Sequence, residues 1–478
     1  MWSPRKTRAK TEGEPMKPIL LIDFGSTYTK VTAVDVDGEA LLGSAAAYTT
    51  VETDVTQGLE NALAELRKKT GPLSFADRFA CSSAAGGLRM IASGLVPEIT
   101  AEAAKQASLG AGAKVLKTYS FQLTEDDAQE IGALKPDIFL LVGGTDGGNT
   151  QCIVHNAQVL AEISGDFPIV IAGNRTAARE CQRILSGREV HLCENVMPKF
   201  GVLNIAPAQK EIREVFLRRI VRAKGLSKTD SLLSGILMPT PSAVMRAMEL
   251  LSCGCAEEPG IGDLVAVDVG GATTDVYSVG EGAPTRAGTV CKGLPEPFVK
   301  RTVEGDIGMR YSVLGILEAA GPGKLSRLSG LPVPRVEALV RQLRAHTDLL
   351  PEGDPELEAL DRALASCAIE TAVTRHAGTV EEAYTLMGLT YVQTGKDLTP
   401  VTNLVVTGGS LIHTKKTKEI ASHALFDPSH PMSLRPRAAR VLVDRQYILS
   451  AMGLLAASYP ACALRIMKKE IKVDGDSE

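Results

Sequence analysis

The structured part of the chain opens at Pro18 with ILLIDFG, a continuous apolar run into a glycine turn that predicts a buried strand. TKVTAVDV then predicts a second strand ending at the Asp37-Gly38 turn, and ALLGSAAAYTTV supplies a third. In DVTQGLENALAELRKKTG, Leu59, Leu63 and Leu66 recur at helical spacing against a charged opposite side, and Gly71-Pro72 ends the helix. From about Phe79 to Asn195 short apolar runs alternate with helical patterns: RFACSS before AAGGLRMIASGLV, PDIFLLVGG before NTQCIVHNAQVLAEI, and PIVIAGN before TAARECQRIL. That alternation predicts a mainly parallel sheet with helical crossovers.

An amphipathic helix is expected over LNIAPAQKEIREVFLRRIVRAKG, with Arg213, Arg218, Arg219 and Arg222 on a solvated basic face. At Asp263 the opening pattern returns. LVAVDVGGATTDVYSVGEGAPTRAGTV is again strand, glycine turn, strand, acidic-glycine turn, strand, and it aligns Asp23 with Asp268, Gly25 with Gly270, and Thr29 with Thr274. The stretch from about Arg310 to Gly395 reads as helix-rich, a cap or helical subdomain. NLVVTGGSLIHT then reads as a buried strand into a Gly-Gly-Ser turn, and YILSAMGLLAAS as a helix with small residues at Ser450, Ala451 and Gly453.

With 478 residues the chain is long enough for two or three cores, and 44% hydrophobic with 23% charged residues is ordinary for a soluble fold. A net charge of -4 gives no global basic field, so a main role on nucleic acid or anionic membrane is not expected. No apolar stretch approaches the roughly 18 to 20 residues that a membrane-spanning helix requires. Residues 1–17, with Arg5, Lys6, Arg8 and Lys10, lack the apolar run of a secretory signal and read as a disordered basic tail. Nine scattered cysteines suit a reducing compartment, so the cytoplasm is expected. Cys253-Gly-Cys255 is the single close pair, and without a second pair it is read as two thiols near a loop rather than a metal site.

The chemistry lies in the repeated turns. Gly25 and Ser26 in one, and Gly270, Gly271 and Ala272 in the other, let backbone N–H groups approach an anion without a Cβ in the way. Two such turns facing each other would grip a triphosphate from both sides. Asp23 and Asp268, each ending a first strand, are the expected holders of Mg2+ through its waters and the leading catalytic candidates. Thr27, Thr29, Thr273 and Thr274 are candidates to donate hydroxyl hydrogen bonds to phosphate, and Lys30 either adds a cation or lies along its strand.

DFGSTYTK and DVGGATTDV resemble the two phosphate motifs of the actin-like ATPase superfamily, which includes actin, Hsp70 and sugar kinases. VVTGGS resembles its adenosine motif, which implies Gly408, Gly409 and Ser410 near the nucleoside; MPTPSAVMRAMELL and YILSAMGLLAA resemble its two connecting helices. The resemblance implies an α/β fold of two duplicated ribonuclease H-like domains that binds ATP with Mg2+. A first domain would span 18–250 with an inserted α/β region at about 130–230, a second 251–440 with a helical insertion at about 310–395, and a final connecting helix and tail 441–478. Chaperone members usually carry a glutamate before the Pro-Thr of the first connecting helix, where this chain has Met238. Glu304 or Asp306 in KRTVEGDIG could supply the carboxylate instead, or form a helix cap.

More of the chain, including CSSAAGGLRMIASGLV, LLVGGTDGGNTQCIVHNA, ILMPTPSAVM and PEPFVKRTVEGDIG, resembles the MutL (GlmL) proteins encoded beside adenosylcobalamin-dependent glutamate mutase. That family shares only its name with the mismatch-repair protein. The resemblance implies a slow ATPase that acts as chaperone or reactivating factor, with a cobalamin-dependent mutase or aminomutase subunit as protein partner. The chain is not itself the mutase, because none of its seven histidines sits in the Asp-x-His-x-x-Gly pattern of base-off cobalamin binding. The alternatives are a small-molecule kinase, with Asp146 of LVGGTDGGNT lining an acceptor pocket, and a redox ATPase built on Cys253 and Cys255.

Overall fold

The computed structural model describes residues 18–25, 28–49, 55–83, 88–223, 236–386 and 388–474. The chain divides into two compact units: residues 1–244 with 453–459, and 245–452 with 460–478. The chain crosses between them three times, within helices between Val244 and Met245 and between Met452 and Gly453, and again between Tyr459 and Pro460.

The first unit begins with β1 (Ile19–Phe24), β2 (Tyr28–Asp35) and β3 (Ala40–Tyr48), an antiparallel meander, and α1 (Val55–Thr70). β4 (Asp77–Ser82) returns parallel to β1. The inserted sheet follows: β5 (Leu88–Gly94), α2 (Glu102–Gly110), β6 (Ala113–Ser120), α3 (Glu125–Leu134), β7 (Ile138–Leu141), α4 (Gln151–Glu162), β8 (Ile169–Ile171), α5 (Arg175–Ile184) and β9 (Val190–Leu192). All its strands are parallel, in the order β6-β5-β7-β8-β9, which is the doubly wound arrangement. After α6 (Ala206–Ala223), β10 (Ile236–Pro239) joins the first sheet beside β4 and leads into α7 (Thr240–Cys253). The insertion therefore starts near Leu88 rather than about 130, and RFACSS belongs to the first sheet, not the inserted one.

The second unit repeats the theme. β11 (Leu264–Val269) and β12 (Thr274–Val279) form a hairpin; β13 (Thr289–Lys292) departs to a small sheet, and β14 (Val299–Glu304) pairs antiparallel with β12. Helices α8 (Val313–Ala320), α9 (Pro322–Ser329), α10 (Val333–Ala345) and α11 (Pro355–His376) follow. Leu360, Leu364 and Ala368 of α11 pack into one core with Val265, Val267 and Val269 of β11. The hairpin β15 (Thr379–Thr385) and β16 (Gly388–Thr394) joins β13 in the order β13-β16-β15, so the last part of the expected helical insertion is sheet. β17 (Asn403–Thr407), α12 (Gly409–Ile412), β18 (Arg440–Val443), α13 (Leu449–Leu455), α14 (Pro460–Glu470) and β19 (Lys472–Val473) complete the unit.

The order β3-β2-β1-β4-β10 in the first sheet recurs as β14-β12-β11-β17-β18 in the second, with the same two antiparallel pairings followed by two parallel ones. This is the duplicated ribonuclease H-like core of the actin-like ATPase fold. Among the described residues no helix is long and apolar enough to cross a membrane.

Candidate functional site

In the first unit, strand register builds one row of side chains. Asp23 on β1 lies opposite Lys30 on β2 and Cys81 on β4, and Met238 on β10 is next beyond Cys81. Opposed residues in a sheet share a face, so these groups are neighbours. Asp23 is only 4% exposed, and its Oδ1 accepts a hydrogen bond from Thr240 Oγ1 at 2.7 Å, at the start of α7. Burial and then the Asp23 carboxylate push the Cys81 thiol well above its ordinary pKa, which keeps it protonated. Met238 is buried, so the row presents an apolar thioether where chaperone members carry a glutamate.

The turn after β1 needs glycine: a Cβ on Gly25 would lie 2.5 Å from the carbonyl oxygen of Tyr28. Ser26 and Thr27 lie outside the described residues. Thr29, expected to face phosphate, is fully buried and shares a 3.0 Å hydrogen bond with Thr49, so its hydroxyl ties two parts of the interior together.

In the second unit the corresponding row is Asp275 on β12, Asp268 on β11 and Thr407 on β17, with Asp444 just after β18. Asp444 is buried; its Oδ1 accepts the Ile448 N–H at 2.9 Å and its Oδ2 the Leu449 N–H at 3.3 Å, capping α13. Thr407 Oγ1 also donates to Asp444, at 3.4 Å. Arg301 Nε donates to Asp275 Oδ1 at 2.8 Å, in a buried ion pair.

The turn from Gly270 to Thr273 is closed by the Gly270 N–H on the Thr273 carbonyl, 2.9 Å. Its carbonyls are tied from a second segment: Met309 N–H on Gly270 O, and Arg310 and Tyr311 N–H on Gly271 O, at 2.8–3.0 Å. Arg310 is itself fixed by Asp361 at 2.8 Å. A turn held this way presents its backbone in one shape, as an anion cradle requires. Thr273 Oγ1 donates to Asp275 at 3.3 Å, whereas Thr274, aligned with Thr29, is fully buried and bonded to the Ile307 carbonyl at 3.0 Å.

Gly408 joins the turn of its own unit. It has φ 108°, and a Cβ there would lie 2.3 Å from the Val269 carbonyl oxygen, so the Gly-Gly-Ser turn packs backbone to backbone on the end of β11. Gly409 is exposed with nothing near its Cβ position, and Ser410 is half-buried in the first turn of α12. The structure thus brings Asp268, Gly270–Thr273 and Gly408 together in one unit, and places Asp23, Gly25 and Lys30 together in the other.

Glu304 does not join them. It lies in register with Thr274 and hence with Val269, on the face opposite Asp268, and Arg375 Nη1 holds its carboxylate at 2.6 Å. Burial raises its pKa against that pairing. The expectation of a catalytic Glu304 is corrected by register: one residue along a strand reverses the face. Asp306, the other carboxylate considered, is exposed and lies 3.5 Å from Arg375.

Asp146 is likewise committed. Its Oδ1 accepts the Arg175 N–H at 2.9 Å and Asn195 Nδ2 at 3.0 Å, while Asn174 donates to the Gly148 and Asn149 carbonyls. The glycine-rich loop is a tied turn, with one oxygen of its carboxylate taken up by a backbone N–H and a side-chain amide. Cys253 is exposed and Cys255 lies in a two-residue ladder with Glu258; among the described residues no group of three or more His, Cys, Asp or Glu could hold a metal ion.

Thr240, Cys81, Asp275 and Asp444 were not singled out in the sequence. Thr240 stood in view as the threonine of MPTPSAV; the others become neighbours only through register.

Among solved structures, the chain is similar to acetone carboxylase in its nucleotide-free form (13% identical, 92% of this chain and 70% of that one, TM-score 0.41). It is also similar to xylulose kinase from Bifidobacterium adolescentis (12%, 96% and 94%, TM-score 0.32) and to the ethanolamine utilization protein EutJ from Carboxydothermus hydrogenoformans (11%, 95% and 91%, TM-score 0.25). The fold assignment rests on the strand order. The family model described as MutL protein matches residues 19–471. "Protein MutL" of Clostridium tetanomorphum is 48% identical over 458 residues, covering 95% of this chain and 99% of that protein. The chain belongs to the MutL protein family, the family that its motifs resemble and not that of the mismatch-repair protein.

Proposed function

We propose that the protein binds MgATP, with the glycine turn after β11 as a phosphate cradle, and uses slow hydrolysis to remodel an adenosylcobalamin-dependent mutase or aminomutase, so that damaged cofactor leaves the client. The observation that carries the nucleotide part is in the second unit: the tied turn Gly270–Thr273 below Asp268, with the Gly408–Gly409 backbone packed on its strand. The residues fit the ligand chemistry, since small side chains leave backbone donors accessible to phosphate, and an aspartate at the turn suits a hydrated Mg2+. Bound MgATP would supply the free energy of phosphate-bond hydrolysis.

Asp23 is oriented by the Thr240 hydroxyl, and Asp268 lies in register between Asp275 and Thr407. No carboxylate in the first row stands where Met238 lies, and Glu304 is paired on the far face, which accounts for slow hydrolysis. The cobalamin-enzyme client rests on membership of the MutL family and on the sequence resemblance to the glutamate mutase-associated proteins. The test is turnover of glutamate mutase inactivated by damaged cofactor, measured with this protein and MgATP. Recovery that requires both is expected; no recovery under conditions where ATP is bound would remove the remodelling role. Against the kinase reading stands Asp146, whose Oδ1 is engaged by the Arg175 N–H and the Asn195 amide.

A further inference from the structure

The hairpin β15–β16 carries exposed apolar side chains on either side of its turn. Tyr384 is 83% exposed, Leu386 108% and Leu389 48%, and Tyr384 and Leu389 face each other across the ladder. Single exposed apolar residues are ordinary, but three at one end of a hairpin form a patch that water penalises. On β15, directly behind the tip, Glu381 and Glu382 are both exposed.

We infer that this tip is a docking element for a protein partner that offers an apolar pocket rimmed by cationic side chains, and that the partner is the mutase client; the inference rests on the client reading above. Two arguments choose this occupant over a second copy of the chain. Large side chains bury at most about 150–250 Å2 each, so three supply less than the roughly 800 Å2 per side of a standard stable interface. And pairing β15 with its own copy would set Glu381 and Glu382 against the same acidic pair, a repulsion that protects such edges. A small aromatic-aliphatic anchor with an acidic flank suits an association that forms and releases.

The experiment uses the full chain and purified glutamate mutase holoenzyme, with affinity read by fluorescence anisotropy. The triple substitution Tyr384→Ser, Leu386→Ser, Leu389→Ser should weaken binding at least tenfold with thermal midpoint and basal ATP hydrolysis unchanged. Glu381→Lys with Glu382→Lys should also weaken it and reduce its salt dependence. A triple variant that binds like the wild type overturns the docking element and leaves the client reading standing. Concentration-dependent dimers of the wild type that the triple variant lacks would assign the tip to self-association instead. A wild-type chain that does not bind the mutase at all removes both readings.

Discussion

Asp23 stays inside the first sheet because Thr240 gives it a hydroxyl partner, and an ionised carboxylate at 4% exposure is costly without one. Thr240→Val keeps the shape and removes the donor. A hydrogen bond to a charged group is worth about 1.5–3 kcal/mol, and a loss of that size should appear in urea unfolding, along with weaker nucleotide binding. Asp268 is more accessible, so Asp268→Ala should abolish MgATP hydrolysis with little change in unfolding midpoint; wild-type turnover in that variant would show the second turn to be inert. His376 reports pH. It is fully buried, with Nδ1 on Thr302 Oγ1 and Nε2 on Ser278 Oγ at 2.8 Å each, and burial, with Lys300 and Lys396 nearby, depresses its pKa well below 6.5. Below pH 6.5 the unfolded chain takes up a proton that the folded chain refuses, so stability is lost as pH falls, by up to about 1.4 kcal/mol per unit. The fall in thermal midpoint from pH 7.5 to 5.5 should be smaller in His376→Gln; an equal fall would place the acid sensitivity elsewhere.

At the scale of elements, the two helices in which the chain changes unit meet at a glycine. A Cβ on Gly453 of α13 would lie 1.8 Å from the Ala243 carbonyl oxygen of α7, and both residues belong to the first unit. Gly453→Val should therefore cost about 3 kcal/mol or more of that unit's stability through overpacking, read by urea unfolding. An unchanged midpoint would mean that the helices separate freely. The hairpins and the small residues of YILSAMGLLAA were legible in the sequence because period and turn chemistry agree there. β5 was not: LRMIASG was expected to be helical, yet it is a strand buried between β6 and β7. Short apolar runs carry no period when both faces are covered, which leaves helix and strand indistinguishable. The β15–β16 hairpin was missed too, for a different reason: its strands are largely exposed and lie in a stretch whose other segments carry a helical period.

For the whole molecule, the duplication was the strongest signal in the sequence, and the matching strand orders of the two sheets bear it out. The backbone turns of the site were legible too, since glycine marks them directly. Less legible were the surroundings of each aspartate: Thr240 is far from Asp23 in sequence, and Asp275 and Thr407 flank Asp268 only after pairing. Register likewise removed Glu304 from the site and turned Thr29 and Thr274 inward. The central claim, that these turns hold a nucleotide, is tested most directly by calorimetric titration of MgATP into the full-length wild type and Asp268→Ala. One equivalent of MgATP bound by the wild type, with binding lost or weakened at least tenfold in the variant, is the predicted result; no heat of binding to the wild type, or equal affinity in both, would contradict it.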